Sequence, residues 1–110
     1  MTVRMPQLVR DKMEPRTGIH EANIPVDQPL TVALLIGKLH SEVAELSLDL
    51  TNPEEYADVL EALSCLASLM GVSWTDIETT ERRKRDHKGA LLLGNLWIPE
   101  AFMPVRQAAE

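Results

Sequence analysis

From Leu30 onward the apolar positions recur at helical spacing: Val32, Leu35, Leu39, Val43, Leu46 and Leu50 follow one another at three- and four-residue intervals. That rhythm gives one buried stripe on a helix, which the pattern places near residues 30 to 50. Thr51-Asn52-Pro53 stops it and starts another, with Asn52 as N-cap, Pro53 at the first helical position and Glu55 three residues past the cap. The second helix turns Tyr56, Val59, Leu60, Leu63, Leu66, Ala67 and Met70 inward and ends at Gly71, a good left-handed stop. Ser73 and Asp76 start a third helix, from Trp74 to about His87, and Gly89 closes it.

The flanks read differently. Residues 1 to 29 carry Pro6, Pro15, Gly18, Pro25 and Pro29, which break every candidate helix except a short one from Leu8 to Glu14. Ala90 to Ile98 is apolar, interrupted by Gly94-Asn95 and closed by Pro99; an extended segment, a tight hairpin and a helical turn all fit it. Residues 99 to 110 read as a flexible tail. The expected fold is all-α: an antiparallel helical bundle of two long central helices and a third, after an irregular N-terminal segment, in a single domain spanning residues 1 to 110.

Composition supports a bundle. The 110 residues are 45% hydrophobic and only 4% aromatic, so the core is expected from Leu, Val, Ile, Ala and Met. A formal charge of −6 argues against wrapping a nucleic-acid polymer, which needs net positive surface, and leaves a small phosphate ligand open. Cys65 is the sole cysteine, so neither an intrachain disulfide nor a cysteine zinc site is expected, and a cytoplasmic address is the default. No apolar run approaches the length of a membrane span, and Met1 to Pro6 holds no signal core.

Charge placement says more than the total. Between Glu42 and Glu61 every charged residue is acidic; between Arg82 and Lys88 the balance inverts, with Asp86 alone against five cations. Glu42 and Glu45 are spaced i, i+3, as are Glu55 and Asp58, so each pair shares one helix face, and the turn between them folds the four acids together. At an effective dielectric near 20, two carboxylates about 5 Å apart repel by roughly 3 kcal/mol. A hard divalent cation such as Mg²⁺, with Mn²⁺ as a substitute, is the natural neutraliser. Beside it, a basic segment suits a di- or triphosphate, whose oxygens the cation bridges while Lys and Arg neutralise the rest. The bland competitors are a solvated acidic face on two amphipathic helices and a basic helix end complementing its dipole. Cys65 reads as packing, and His20, His40 and His87 lack ligand spacing. Trp97 suits packing, a subunit contact or base stacking.

Three segments together resemble the MazG-like all-α nucleoside triphosphate pyrophosphohydrolases, the superfamily that includes phosphoribosyl-ATP pyrophosphohydrolases and dimeric dUTPases. They are L-V-R-D-K at Leu8 to Lys12, E-V-A-E then E-Y-A-D-V-L-E between Glu42 and Glu61, and E-R-R-K-R-D-H-K-G from Glu81 to Gly89. The resemblance points particularly toward the small house-cleaning and phage-type members. The resemblance implies Mg²⁺-dependent cleavage between the α- and β-phosphates of a nucleotide, giving a monophosphate and pyrophosphate. It implies Glu42, Glu45, Glu55 and Asp58 as metal-binding acids, with Glu45 or Glu61 taking the proton of the attacking water. Lys38, Arg10, Lys12, Lys84, Arg85 and Lys88 become candidates for phosphate contact. Ser41 stands where relatives often carry a further Glu, and His87-Lys88-Gly89-Ala90 replaces an Arg-Gly-Gly-Phe-like segment. A slower enzyme, a nucleotide-binding protein with little turnover and a helical adaptor are therefore all open readings. A homo-oligomer, dimer or tetramer, is also expected, with Leu91 to Ile98 at its contact.

Overall fold

The computed structural model describes residues 6–12 and 23–103. It is all helical among these, with α1 at Gln28–Ser47, α2 at Pro53–Leu69, α3 at Trp74–Lys88 and one 3₁₀ turn at Glu100–Phe102. The chain divides into two units, Met1–Ile77 and Glu78–Glu110, the division falling inside α3. No single helix among the described residues is long and apolar enough to cross a membrane.

Each helix boundary has a local cause. α1 begins two residues earlier than the apolar rhythm alone suggests, because Asp27 is its N-cap: the side chain accepts from the Leu30 N–H at 2.9 Å, and Pro29 sits in the first turn. It also ends earlier, at Ser47, where the Leu48 N–H turns back to the Glu45 carbonyl and the Asp49 N–H to that of Leu46. Leu50 therefore leaves the predicted stripe and stands exposed in the connection. Asn52 caps α2 as expected, accepting from the Glu54 N–H at 3.0 Å while its amide donates to Asp49. The Tyr56 hydroxyl donates to the Leu50 carbonyl at 2.8 Å, which pins the connection to the first turn of α2.

α2 closes on Gly71, whose φ of 72° only glycine adopts freely. The Val72 N–H bonds the Ala67 carbonyl and the Gly71 N–H bonds that of Ser68, satisfying two of the helix's last carbonyls. The Asp76 N–H meets Ser73 Oγ at 3.4 Å, and Gly89, at φ 83°, follows the last residue of α3. Ala90 to Ile98 takes up neither strand nor helix. At the N-terminal end, Leu8 to Lys12 is not helical as described; Met13, Glu14 and the tail from residue 104 lie outside the described residues.

α1 and α2 pack against each other in opposite directions: Gln28 at the start of α1 donates to the carbonyl of Leu69 at the end of α2. Their inner stripes are narrow. Leu35 and Ala62 are the buried apolar residues, and Glu42 is buried with them. The inward set expected for α2 is wider than the contact one partner helix can offer. Val59 and Leu66 are partly covered, whereas Tyr56, Leu60, Leu63 and Met70 are exposed, as is Val43 on α1. Ala62 and Cys65, with Glu55 and Asp58, hold the covered positions instead.

Candidate metal centre

The acidic site grows out of the α1–α2 connection. A turn of five residues, 48 to 52, brings the last turns of α1 beside the first turns of α2, so i, i+3 acids on the two helices meet across the gap. Glu42, Glu45 and Glu55 each bring one carboxylate oxygen within 4.8 Å of the other two. They differ in exposure: Glu42 is buried, Glu55 half-buried and Glu45 open to solvent. The group thus has a dry floor and a wet rim.

Glu42 is the most buried member. One oxygen pairs with Lys38 Nζ at 3.1 Å, one helical turn earlier, while Oε2 is buried without any partner. A buried polar atom left unmatched costs about 1–3 kcal/mol, and more when it is charged. Glu55 Oε2 is likewise buried without a partner. Burial pushes the Glu55 carboxyl above its ordinary value, and the negative charges of Glu45, Asp58, Asp49 and Glu42 push it further. Glu42 and Glu55, each with one unsatisfied oxygen, form with Glu45 a donor set of hard oxygens whose negative charge exceeds that of the single Lys38 paired to it.

Asp58, the fourth expected ligand, lies outside this group. Its Oδ1 accepts from Arg10 Nη2 at 3.0 Å in a half-exposed ion pair. Arg10 therefore neutralises an acid in this structure. Nearby, the Lys38 ammonium also donates to Gln7 Oε1 at 3.4 Å. Gln7 touches α1 and Arg10 touches α2, so residues 7 to 10 bridge the two helices beside the acids. Gln7 carries no charge and belongs to no spacing pattern, which is why sequence reasoning passed over it.

Glu61, a candidate base, is exposed and accepts from the Cys65 thiol at 3.3 Å. Burial, that hydrogen bond and the charges of Glu61 and Asp11 raise the Cys65 thiol above its ordinary value, partly offset by Arg10. Cys65 is thus held as the protonated thiol. Lys12 and Ser41 are exposed. Lys84, Arg85 and Lys88 lie in the Glu78–Glu110 unit on the last turns of α3, all exposed, with Arg85 paired to Glu81 at 3.4 Å. The open depression on that unit is lined by Thr79, Arg82, Arg83, Asp86 and His87, a different face of α3.

No family model, curated protein or solved structure matches this chain. What the site can do therefore rests on its own chemistry. Glu42, Glu45 and Glu55 fit a divalent cation with oxygen preference, because the charge excess and the orphaned oxygens are both relieved by one hard cation. Asp58 stands outside that set, its Oδ1 paired with Arg10.

Proposed function

We propose that this chain is a Mg²⁺-dependent nucleotide pyrophosphohydrolase, cleaving the α–β phosphoanhydride of a nucleoside triphosphate to a monophosphate and pyrophosphate. The observation that carries the reading is Glu42: a buried carboxylate with an unpartnered oxygen, within 4.8 Å of two further glutamate oxygens. Mn²⁺ would substitute for Mg²⁺ on the same hard oxygen donors. Glu42, Glu45 and Glu55 would hold the cation, and when bound it supplies charge neutralisation at the phosphate oxygens and lowers the pKa of water.

The remaining roles fall to protein groups. Glu45, the solvent-exposed member, would accept the proton of the attacking water, since it is the most open of the three to solvent. Glu61, already accepting from Cys65, is the second candidate for that step. Lys38 neutralises Glu42 in the absence of substrate and has the reach to swing to a phosphate oxygen, which would stabilise the developing charge on pyrophosphate. Arg10 can likewise exchange Asp58 for a phosphate, because the pair is exposed and weakly held.

A second reading, nucleotide binding with little turnover, is favoured by one feature: Asp58 is engaged by Arg10, leaving three acids where four are expected. The test is pyrophosphate release from a panel of nucleoside triphosphates with Mg²⁺, run beside calorimetric binding. Cation-dependent pyrophosphate release supports the enzyme; binding without release selects the second reading; neither binding nor release defeats both.

A further inference from the structure

We infer that the Glu78–Glu110 unit docks on the surface of an anionic lipid bilayer, with the cations at the end of α3 against the headgroups and the apolar run that follows them inserted at the boundary. Two features of the unit adjoin in sequence. Between Arg82 and Lys88 five cations stand against Asp86 alone, in a chain whose formal charge is −6. From Gly89 to Pro99 no residue is charged, and Leu91, Leu92, Leu93, Leu96, Trp97 and Ile98 fall in that stretch.

Neither feature is used up within the structure. α3 buries no residue. Arg85 pairs with Glu81 at 3.4 Å, whereas Arg82, Arg83, Lys84 and Lys88 are exposed and make no ion pair among the described residues. Leu91, Leu92, Leu93, Leu96 and Trp97 are 82% to 100% exposed. Apolar side chains left this open in one short stretch mark a surface that something else covers.

The form of the run points to what covers it. Gly89 at φ 83° and Gly94 at φ 73° bracket the three leucines, Leu91 and Leu93 stand at bends, and no helix or strand sorts these side chains onto one face. A folded partner would cover one side of such a segment; an acyl layer surrounds it. Trp97 adds the amphipathic ring that favours the level of the headgroups. Because no helix or sheet pairs the backbone here, the hydrocarbon centre is closed to it, and insertion stops about 5–10 Å deep. The cations supply the matching attraction to anionic headgroups. Screening cuts charge interactions off at about 8 Å in physiological salt, so the local excess of cations decides, and the acids elsewhere in the chain count for little. An acidic protein surface would answer the cations and leave the leucines in water. The inference stands apart from the catalytic reading, because neither nucleotide nor metal enters it.

Co-sedimentation of the full chain with vesicles tests this, using phosphatidylcholine alone and phosphatidylcholine with roughly a third phosphatidylserine, at about 0.1 M and 0.5 M salt. The expected result is partitioning about tenfold stronger on the serine-containing vesicles, lost at the higher salt, with a blue shift in tryptophan emission that Trp97→Phe removes. Leu92→Glu should weaken binding about tenfold. Arg83→Ala and Lys88→Ala should each weaken it about fivefold, with helical circular dichroism retained. Should any variant lose helicity, the salt dependence and emission shift of the wild type decide. No sedimentation with the anionic vesicles overturns the inference. So does equal partitioning onto both lipids, or binding that Leu92→Glu leaves unchanged. A chain that ignores vesicles and forms oligomers dispersed by Leu92→Glu overturns it as well, and gives the run to a second copy.

Discussion

On one side of the α1–α2 hairpin, Glu42, Glu45 and Glu55 crowd together with Lys38, Arg10 and Asp58 around them; on the other, Ile36, Val43, Leu60 and Leu63 stand open with no charge among them. Both sides are built from the same two helices, and neither is at rest. The acidic side holds carboxylate oxygens without hydrogen-bond partners, and the apolar side holds exposed aliphatic side chains. On the proposed reading, a hard cation answers the acidic side. A helix pair whose buried apolar residues are Leu35 and Ala62 has little packing to offset a buried carboxylate with one oxygen unpartnered.

The comparison breaks most visibly at Glu42. Glu42→Gln keeps the shape and removes the charge, and should cut pyrophosphate release about 100-fold, roughly 3 kcal/mol of transition-state stabilisation, while raising the melting temperature of the metal-free chain. Unchanged release would separate the acids from catalysis. Next in size is the thin core itself: Leu35→Ala should cost about 2–3 kcal/mol in urea unfolding, the lower part of the range for such truncations, because the site opens readily to water. A loss under about 1 kcal/mol would mean the hairpin is held together elsewhere.

Lys38→Met sharpens the charge side. It leaves the buried Glu42 oxygen without its counter-ion, and should lower the metal-free stability by about 1–2 kcal/mol, less than for a fully dry pair because the lysine is partly solvated. Millimolar Mg²⁺ should restore most of that loss in a thermal melt; no restoration would place the cation elsewhere. Arg10→Ala is smaller. Its pair with Asp58 is exposed, so the stability change should stay under about 1 kcal/mol, while the apparent Mg²⁺ affinity rises as Asp58 is released. An affinity that falls would show that Arg10 supports the site.

Glu55 changes the shape of a curve more than its depth. Its carboxyl is raised by burial and by its acidic neighbours, so the folded chain holds that proton more tightly than the unfolded chain does. The contribution favours folding below the ordinary carboxyl pKa of 4.5 and is lost as pH rises through the raised value. Urea midpoints measured upward from pH 4 should therefore decline more steeply for the wild type than for Glu55→Gln, and Mg²⁺ should flatten the wild-type curve. Parallel curves would mean the acids do not press on one another.

How far the sequence reveals this molecule depends on what each feature needs. Asn52-Pro53, Gly71, Ser73 and Gly89 are local signals, and the helix boundaries they predict are the ones observed. The convergence of Glu42, Glu45 and Glu55 was legible too, because i, i+3 spacing and a short turn suffice to bring them together. Asp27 was missed as the α1 cap because it precedes the apolar rhythm, between two prolines. The sides of α2 were harder. Apolar residues cover more than half of its circumference, so periodicity alone reads Tyr56, Leu60 and Met70 as inward when a single neighbour covers only the Ala62 stripe. The ties of Arg10 to Asp58 and of Gln7 to Lys38 cross 48 and 31 residues, and no spacing rule reaches that far.

The central claim is that the glutamates hold a divalent cation, and Mn²⁺ titration followed by electron paramagnetic resonance reads this without substrate or turnover. The account predicts one strongly bound Mn²⁺ per chain, displaced by Mg²⁺ and abolished by Glu42→Gln. Free Mn²⁺ signal at every ratio, or binding that Glu42→Gln leaves untouched, would contradict it.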